Sequence, residues 1–362
     1  MNFRSVYKKF DNAMIVVSRK MGAKSSAKHY FKLLKQHNIP IKRLTKEQKK
    51  AVDDFWGKKN GKNYATHELV LSATGRFDPK ICEEKLFRTE IELKLNRFDF
   101  KGAWSDKGYF DFLFPDVKFP ETVVRNIKGN FYDHDYNIIT KEQAIKLLDE
   151  IGTFAIKPSL ESGCGRGVQL FKKGEGQTLD QLLNEYNSDY VAQKVLSQYA
   201  PIAALNPSSV NVIRYISLYI NGKVTPVSAA LRCGAGGAFN DNCVTPDGRG
   251  MFVIGVSEDG VLKDEAYHSC GEKITKAPNG AEFAGITIPN FDRIKQLTTD
   301  IHSKLAHFGF VGFDIAIDAD GEPVVMEYNI KGPGVLYYQY VNGPLLGDRT
   351  DEIAELLKQN RL

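Results

Sequence analysis

Apolar positions in the N-terminal region recur at the three- and four-residue spacing of helices. Within AKSSAKHYFKLLKQHN, residues 23–38, one helical face would carry Ala27, Tyr30, Phe31, Leu34 and His37. Thr45, followed three residues later by Gln48, has the pattern of a capping box and predicts the start of the next helix. We therefore predict a mainly helical region over residues 1–104. Its sequence contains no pattern that indicates a catalytic or binding site, and we interpret the region as a cap or a partner surface.

From about residue 105 the pattern changes to short β-like runs separated by tight turns. Asn221-Gly222 joins the runs NVIRYISLYI and KVTPVSAALR and is a strong hairpin signal. Helices lie between such hairpins without regular strand-helix-strand alternation, which argues against a doubly wound dinucleotide-binding sheet. The chain is therefore predicted to be α+β, with one lobe over residues 105–200 and a second over residues 201–362.

Two carboxylates lie in the middle of a predicted hairpin, GFDIAIDADGEPVVMEYN. A two-residue turn at residues 320–321 would place Asp314 directly opposite Glu327, with Cβ atoms about 5 Å apart. Asn329 would share the face of Glu327, because strand side chains repeat every second residue. Like charges at this distance repel, and a Mg²⁺ ion bound by the two carboxylates and the amide oxygen would remove the conflict.

Other interpretations of these acids remain open. One carboxyl group could have a raised pKa and act as a general acid, Asp314 could bond only to backbone, or the acids could lie on a solvent-facing side of the sheet. Asp318 shares the face of Asp314 but would lie beside the turn, opposite Pro323. We therefore leave Asp318 out of the predicted site.

A glycine-rich segment, SLESGCGRGV, lies between the apolar runs FAIKP and VQLF. A phosphate-binding loop of the P-loop type would lead into a helix, whereas this one leads into a second strand. The pattern favours a β-loop-β flap whose N–H groups close over phosphates. Lys157, at the end of the first strand, would then meet an anion, or would simply extend to water.

An arginine in the Asn221-Gly222 hairpin falls among aliphatic residues. The turn would place Asn211 opposite Arg232, and Arg214 on the side of Val212 and Leu231. A guanidinium in such surroundings needs an anion or a carboxylate, so Arg214 would bind a phosphate or a substrate carboxylate, or form a structural ion pair. The following loop, GAGGAFNDNC, offers hydrogen-bonding groups at Asn240, Asp241 and Asn242, or is an ordinary polar loop.

Charge is unevenly spread along the chain. The 362 residues carry a formal net charge of +5, but residues 1–60 hold 16 Lys and Arg against 4 Asp and Glu. This segment would suit an anionic partner such as a membrane surface or a charged polymer, although a solvated helical face is the favoured interpretation. No alternation of arginine and aromatic residues accompanies it, so no nucleic-acid partner is expected.

The cysteines and the apolar runs give no sign of secretion. The five cysteines form no Cys-x-x-Cys pair and no cluster with histidines at ligand spacing, so neither a zinc site nor a disulfide framework is supported. Near the N-terminus, the apolar run at residues 13–17 is too short for a signal peptide or a membrane span. We expect a cytoplasmic location.

Taken in chain order, these segments resemble the ATP-grasp enzymes, and most closely the sugar-transfer associated branch. The resemblance covers about residues 105–350 and is carried by FPETVVRNIKGNFYD, FAIKPSLESGCGRGV, YVAQKVL, SSVNVIRYISLY, LRCGAGGAFNDNC and GFDIAIDADGEPVVMEYN. It implies an ATP-grasp fold, in which two α+β lobes clamp ATP with Mg²⁺. The basic helical start departs from the α/β lobe usual in such enzymes, which leaves the position of the acceptor site open.

The resemblance also implies roles for individual residues. Lys157 would contact the nucleotide phosphates, and Lys128, with Lys107 as second choice, would be a further phosphate-binding lysine. Arg214 and Arg232 would hold the transferred phosphoryl group or an acyl phosphate. The magnesium ligands would be Asp314, Glu327 and Asn329. The nucleotide-binding set would be completed by Gly163, Gly165, Arg166, Gly167, the hinge residues Gln193, Lys194 and Val195, and Asn211.

The implied activity is that of an ATP- and Mg²⁺-dependent carboxylate-amine ligase acting through an acyl phosphate. We expect an amide bond between an amino acid and a sugar acid, made for a surface polysaccharide. A phosphotransferase on the same fold, a peptide-tailoring ligase and a non-catalytic nucleotide-binding module are the alternatives. Cys164 lies inside the flap without a neighbouring histidine in the sequence to activate it, so no catalytic role is assigned to it.

Overall fold

The N-terminal region is helical, as predicted. The computed structural model describes residues 3–160, 165–235, 237 and 245–362, with side chains from residue 13 onward. The first helices are α1 (Phe3–Gln36), α2 (Lys46–Trp56), α3 (Ala65–Thr74), α4 (Glu84–Leu86), a π-helical turn (Phe87–Ile91), α5 (Glu92–Leu95), α6 (Lys101–Trp104) and α7 (Phe110–Leu113). The capping box predicted at Thr45 and Gln48 is present and begins α2. No helix in the described ranges combines the length and the apolar character needed to cross a bilayer.

A smaller sheet follows, with six antiparallel strands in the order β3-β2-β1-β6-β4-β5. Its elements are β1 (Thr122–Ile127), β2 (Asn130–Tyr132), β3 (Ile138–Ile139), α8 (Lys141–Ile151), β4 (Thr153–Pro158), β5 (Gln169–Lys172), α9 (Leu179–Tyr186) and β6 (Tyr190–Lys194). Capping boxes at Thr140 and Thr178 begin α8 and α9. Leu148 and Leu182 from these helices pack with Phe154 of β4, so the small lobe has its own core.

The larger sheet has seven strands in the order β11-β10-β9-β8-β7-β12-β13. Its elements are α10 (Ala200–Ala203), β7 (Val212–Ile220), β8 (Lys223–Cys233), β9 (Phe252–Val256), β10 (Leu262–His268), β11 (Lys273–Ile274), α11 (Phe291–Lys304), β12 (Phe310–Ile317), β13 (Pro323–Asn329), α12 (Leu336–Asn342) and α13 (Thr350–Lys358). Leu34, Trp56 and Phe87 of the N-terminal region pack with Phe310 and Tyr340 in one core. The helical region therefore shares its core with the large lobe.

The β12–β13 hairpin pairs Asp314 with Glu327, as predicted, but by a different route. The turn is longer than two residues, because Ile317 pairs with Pro323 and the Asp318 N–H donates to the Glu322 carbonyl. This turn alone would shift the register by one residue. A bulge between Asp314 and Ile315 restores it, where the Val325 N–H leaves the ladder and donates to the Lys118 carbonyl.

Asp318 belongs to this turn. Its Oδ1 accepts from the N–H groups of Asp320 and Glu322 at 3.0 and 2.9 Å, and its Oδ2 from the Lys118 ammonium. These bonds stabilise the turn itself and employ both carboxylate oxygens. Asp318 is not among the residues that line the central cavity described below, which agrees with leaving it out of the site.

The predicted register of β7 and β8 is wrong beyond their turn. The pairs near Asn221-Gly222 are as expected up to Ser217 with Pro226, but the next pair is Ile216 with Ser228. Pro226 has no N–H to donate to the ladder, and a bulge follows it. Arg232 is consequently opposite Val212 and not Asn211.

Candidate active site

A cavity of about 430 Å³ lies where the two sheets and the helical region meet. Lys157 of β4 lines it from the small sheet, and Arg214 and Asp314 line it from the large sheet. Tyr30 of α1 and Glu84 of α4 line it from the helical region. Three parts of the chain therefore contribute to one site.

The predicted magnesium ligands come together on one wall of this cavity. The Asn329 Nδ2 donates to Asp314 Oδ2 and to Glu327 Oε1, at 3.2 Å in each case. Asp314 is buried, with 3% of its surface exposed, whereas the Glu327 side chain keeps 28%. Two carboxylates and one amide are thus within hydrogen-bonding distance of a common point.

Two arginines neutralise Asp314. Nε and Nη2 of Arg214 donate to its Oδ1 and Oδ2 at 2.5 and 2.9 Å, and Nη2 of Arg232 lies 3.3 Å from Oδ2. Burial alone would raise the pKa of Asp314, but the two guanidinium groups lower it to about 2. The structural ion pair that the sequence left open is therefore present. Repulsion between carboxylates does not by itself require a cation here.

The absence of a side chain at Gly312 leaves the space that Arg214 occupies. A Cβ at Gly312 would lie 3.2 Å from Arg214 Cδ and 2.9 Å from Pro333 Cβ, which is closer than such contacts tolerate. The third guanidinium nitrogen of Arg214, Nη1, donates to the Pro333 carbonyl at 2.5 Å. The arginine is consequently held at both ends of its planar group.

Replacing Arg214 with Ala is expected to destabilise the protein by about 3–5 kcal/mol, because Asp314 would be left as a buried charge without its bidentate partner. Urea unfolding measures this difference. Arg293→Ala, which removes a surface ion pair to Glu322, is the control and should cost no more than about 1 kcal/mol. A similar, small loss of unfolding free energy in both variants would contradict the proposed contribution of the buried ion pair to stability.

Two lysines line the same cavity beside the acids. Burial, together with the nearby Lys107, lowers the pKa of Lys157 to about 8, and Glu327 acts in the opposite direction. The Lys107 Nζ lies 3.4 Å from Glu327 Oε2, and its side chain is only 10% exposed. Ammonium groups withdrawn from water in this way gain most from an anionic ligand, and phosphate is one such ligand.

The lowered pKa of Lys157 predicts proton uptake when a nucleotide binds above about pH 8. A bound phosphate stabilises the ammonium and raises its pKa, so affinity should fall by up to about tenfold per pH unit between the free and bound pKa values. Calorimetric titration with ATP near pH 8.5, in two buffers of different ionisation enthalpy, measures the uptake. Lys157→Met should abolish it, and equal heats in both buffers for the unmodified protein would contradict this role.

The flap is described only in part. Gly163 lies outside the described residues, as do Asn240, Asp241 and Asn242 of the later loop. Gly165 lines the cavity, whereas Arg166 is exposed and does not appear in its lining. Gly167 has φ +71°, and a Cβ there would lie 2.9 Å from Pro158 Cγ, so the chain can enter β5 in this way only with glycine.

The predicted hinge forms another part of the cavity wall. Gln193, Lys194 and Val195 all line the cavity at the end of β6. The Gln193 Nε2 donates to Thr122 Oγ1 at 3.1 Å, and Lys194 forms an ion pair with Glu121 at 2.6 Å. These side chains fix the strand end against the start of β1.

Sequence reasoning missed the contribution of the helical region. Ser26 Oγ donates to Glu84 Oε2 at 3.1 Å, and Arg88 Nη2 donates to Glu84 Oε1 at 2.5 Å. The hydroxyl groups of Tyr30 and Tyr337 are hydrogen-bonded to each other. All five side chains line the cavity. No local pattern marks them, because they meet only when α1 packs against α4 and α12.

The family model for sugar-transfer associated ATP-grasp matches residues 87–355. The chain belongs to this family. The resemblance stated from the sequence is thereby confirmed, together with the ATP-grasp fold. The protein is an ATP-dependent ligase of this fold that uses ATP and Mg²⁺.

Other comparisons give distant likenesses to this ATP-grasp protein. Similar solved structures include the D-cycloserine synthetase DcsG, with 15% identity over 72% of this chain and 71% of that chain and a TM-score of 0.39. The VanG D-Ala:D-Ser ligase from Enterococcus faecalis has 14% identity over 71% and 62% of the two chains and a TM-score of 0.42. The ATP-grasp ligase PsnB, complexed with a minimal precursor, has 14% identity over 76% and 70% and a TM-score of 0.40. No curated protein matches the chain significantly.

The acids of this ATP-grasp protein fit a magnesium ion as a donor set. Carboxylate and amide oxygens are the hard ligands that Mg²⁺ prefers. The point between Asp314 and Glu327 that both carboxylates reach is taken by the Asn329 Nδ2. A cation there would require Asn329 to present its Oδ1 instead. Asp314 can still coordinate, because a carboxylate has about four lone-pair sites and the bonds from Arg214 and Arg232 occupy three of them.

Besides Arg166 and Gly167 of the flap, Lys128 and Asn211 were predicted to bind the nucleotide and do not line the cavity. Lys128 is exposed in the β1–β2 turn at φ +52°, and its N–H donates to Asp189 Oδ1 at 2.9 Å. Asn211 is buried, and its Nδ2 donates to the Ile202 carbonyl at 2.8 Å, so it holds the loop before β7. Lys107 does line the cavity. The second phosphate-binding lysine is therefore reassigned from Lys128 to Lys107 in the proposal below.

Proposed function

We propose that the protein joins a sugar acid to an amino acid through an amide bond, in the synthesis of a surface polysaccharide. One observation carries the proposal. The cavity that holds Lys157, Lys107 and the acids continues to Arg88 and Tyr30 of the helical region, so nucleotide and acceptor would share one space. The family's description associates it with sugar transfer, which supports a sugar acid as the carboxylate.

The nucleotide would occupy the side of the cavity formed by the small sheet. Residues 193–195 would border the adenine, and Lys157 and Lys107 would bind the phosphates through their desolvated ammonium groups. Asp314, Glu327 and Asn329 would hold Mg²⁺, which supplies positive charge at the transferring phosphoryl group. Arg214 would keep Asp314 ionised and correctly oriented for this binding.

The reaction would run in two steps that need no protein nucleophile. In the first, a carboxylate oxygen of the sugar acid attacks the γ-phosphorus, the bond to the bridging oxygen breaks, and ADP leaves. In the second, the amine nitrogen attacks the acyl carbon, phosphate leaves with the oxygen it acquired, and the nitrogen gives its proton to solvent. The residues contribute position and charge, because both steps move negative charge between oxygens.

The acceptor would occupy the end of the cavity next to the helical region. Arg88 keeps 35% of its side chain exposed there, and Lys331 is exposed on the same lining. A guanidinium group matches a carboxylate through two parallel hydrogen bonds. Tyr30, Tyr337 and Tyr338 add an aromatic wall with hydroxyl groups, which suits a ring that carries hydroxyl groups of its own.

Replacing Arg88 with Gln is expected to raise KM for the carboxylate substrate by about tenfold or more, since a hydrogen bond to a charged group contributes roughly 1.5–3 kcal/mol. KM for ATP should change by less than about twofold, because the two substrates would use different ends of the cavity. Lys85→Gln changes a neighbouring cation that does not line the cavity and should alter neither constant. A selective rise of KM for ATP in Arg88→Gln would place the nucleotide at this end and contradict the assignment.

Amine-dependent release of ADP tests the proposed reaction. The protein would be incubated with Mg²⁺, ATP, a panel of sugar acids such as glucuronate and galacturonate, and a mixture of amino acids. The proposal expects ADP release that requires both substrates and a product whose mass equals their sum minus water. A product that retains phosphate on a hydroxyl group would indicate a phosphotransferase, and release with peptides but not with sugar acids would indicate a peptide-tailoring ligase.

A further inference from the structure

The outer face of α1 combines exposed apolar side chains with a row of lysines. Residues three and four apart lie on the same side of a helix. At this spacing the outer face carries Met14, Val17, Met21, Lys24, Lys28 and Lys32, all of them exposed. The face is therefore apolar from residue 14 to residue 21 and cationic from residue 24 to residue 32.

The opposite side of α1 fixes the direction of this face. Arg19 forms an ion pair with Glu92 of α5, and its Nη1 donates to the Arg88 carbonyl at 2.9 Å. Ala23 and Leu34 on this inner side are buried, with 4% and 0% exposure. The inner side thus packs on the protein, so the outer face is directed away from it.

The apolar part of the outer face is unusually exposed. Met14, Val17 and Met21 are 56%, 49% and 67% exposed, and the adjacent Ile15 is 45% exposed. Apolar side chains of this size are usually exposed singly, and a contiguous group of them marks a surface that contacts something else. In the described part of the chain these side chains stay exposed, whereas Ala23 and Leu34 on the inner side are buried.

Charge decides which partner fits this surface. Residues 13–36 contain six Arg and Lys and no Asp or Glu. A second copy of the chain would bring two such cationic helices together, which costs electrostatic free energy. A bilayer with anionic lipids offers the opposite charge at its headgroups and an apolar phase directly beneath them.

We propose that the outer face of α1 binds the surface of a membrane that contains anionic phospholipids. Met14, Val17 and Met21 insert at the boundary between headgroups and acyl chains, and Lys24, Lys28 and Lys32 contact lipid phosphates. The helix lies along the membrane surface and does not cross it. This binding requires neither ATP nor the proposed ligase reaction.

Sedimentation of the full chain with lipid vesicles tests the proposal. Binding is expected to vesicles of equimolar phosphatidylcholine and phosphatidylglycerol, and to weaken as salt concentration rises. The triple variant Met14→Glu/Val17→Glu/Met21→Glu should reduce the partition coefficient by roughly tenfold or more, and Lys24→Glu/Lys28→Glu/Lys32→Glu should do the same. All six changes are on exposed positions, and an unchanged melting temperature would show that both variants fold.

The matched control is Phe112→Glu/Ile138→Glu, since these apolar residues are 68% and 76% exposed but lie outside α1. It should bind the mixed vesicles like the unmodified protein. Any one of four results would overturn the proposal. These are no binding to the mixed vesicles, equal binding to pure phosphatidylcholine, an equal loss in the control, and a concentration-dependent dimer that the methionine-valine triple variant abolishes.

Discussion

Replacing Lys157 with Met should lower kcat/KM for ATP by about a hundred- to a thousandfold. Burial and the neighbouring Lys107 lower the pKa of the Lys157 ammonium to about 8, because Glu327 alone does not compensate for them as an anionic partner. A nucleotide phosphate would supply the partner, and methionine fills the same space without charge. Losses of this size accompany the removal of one positioned electrostatic group from an active site.

The same substitution should leave the fold intact or make it slightly more stable, because it removes a cation that burial disfavours. Steady-state kinetics and urea unfolding separate the two effects. Lys128→Met is the matched control, since Lys128 is exposed in the β1–β2 turn and does not line the cavity. Equal losses of kcat/KM in both variants would contradict the assignment of Lys157.

Glu327→Gln should lower kcat by about a hundredfold and raise the Mg²⁺ concentration that gives half-maximal rate. The amide has the shape of the carboxylate but no charge, so the proposed cation would lose one of its two anionic ligands. Lys107, whose Nζ lies 3.4 Å from Glu327 Oε2, would also lose its ion-pair partner. Because the Glu327 side chain is 28% exposed, the fold should tolerate the change.

Titrating activity with Mg²⁺ in the presence of saturating ATP measures both effects. The control is Glu322→Gln in the turn of the same hairpin, where the carboxylate pairs with Arg293 at the surface. Its turnover and Mg²⁺ requirement should match those of the unmodified protein. Undiminished turnover in Glu327→Gln would exclude Glu327 as a ligand of an essential ion.

The facing acids show how far the sequence alone could lead. Their pairing follows from side-chain alternation and from the position of a turn, and the structure confirms it. The assumed two-residue turn is wrong, and the pairing survives because the bulge beside Asp314 compensates for the longer turn. The sequence did not decide whether Arg214 binds a ligand anion or a carboxylate of the protein, because no local pattern shows which strand will pair with β7. The partner of Arg214 is Asp314, placed there by the pairing of β7 with β12.

The remaining errors have identifiable physical causes. Asn211 was predicted to lie opposite Arg232 through a register that the bulge after Pro226 displaces by one residue. Lys128 follows β1 directly in the sequence, but it lies in a turn that exposes it to solvent. Lys107 lies in a short 3₁₀ turn, Lys107–Tyr109, and lines the cavity. The helical region gave no chemical signal, because Tyr30, Glu84 and Arg88 come to line the same cavity as Asp314 and Glu327 only through packing between distant segments. Short-range periodicity carries no information about such packing.

The fate of the carboxylate oxygens tests the proposed reaction most directly. A sugar acid that supports ADP release would be labelled with oxygen-18 in its carboxylate and incubated with ATP, Mg²⁺ and the amine, and the phosphate formed would be analysed by mass spectrometry. Activation as an acyl phosphate predicts one labelled oxygen in each molecule of phosphate. Formation of the amide with unlabelled phosphate, the displaced labelled oxygen being found in water, would contradict it.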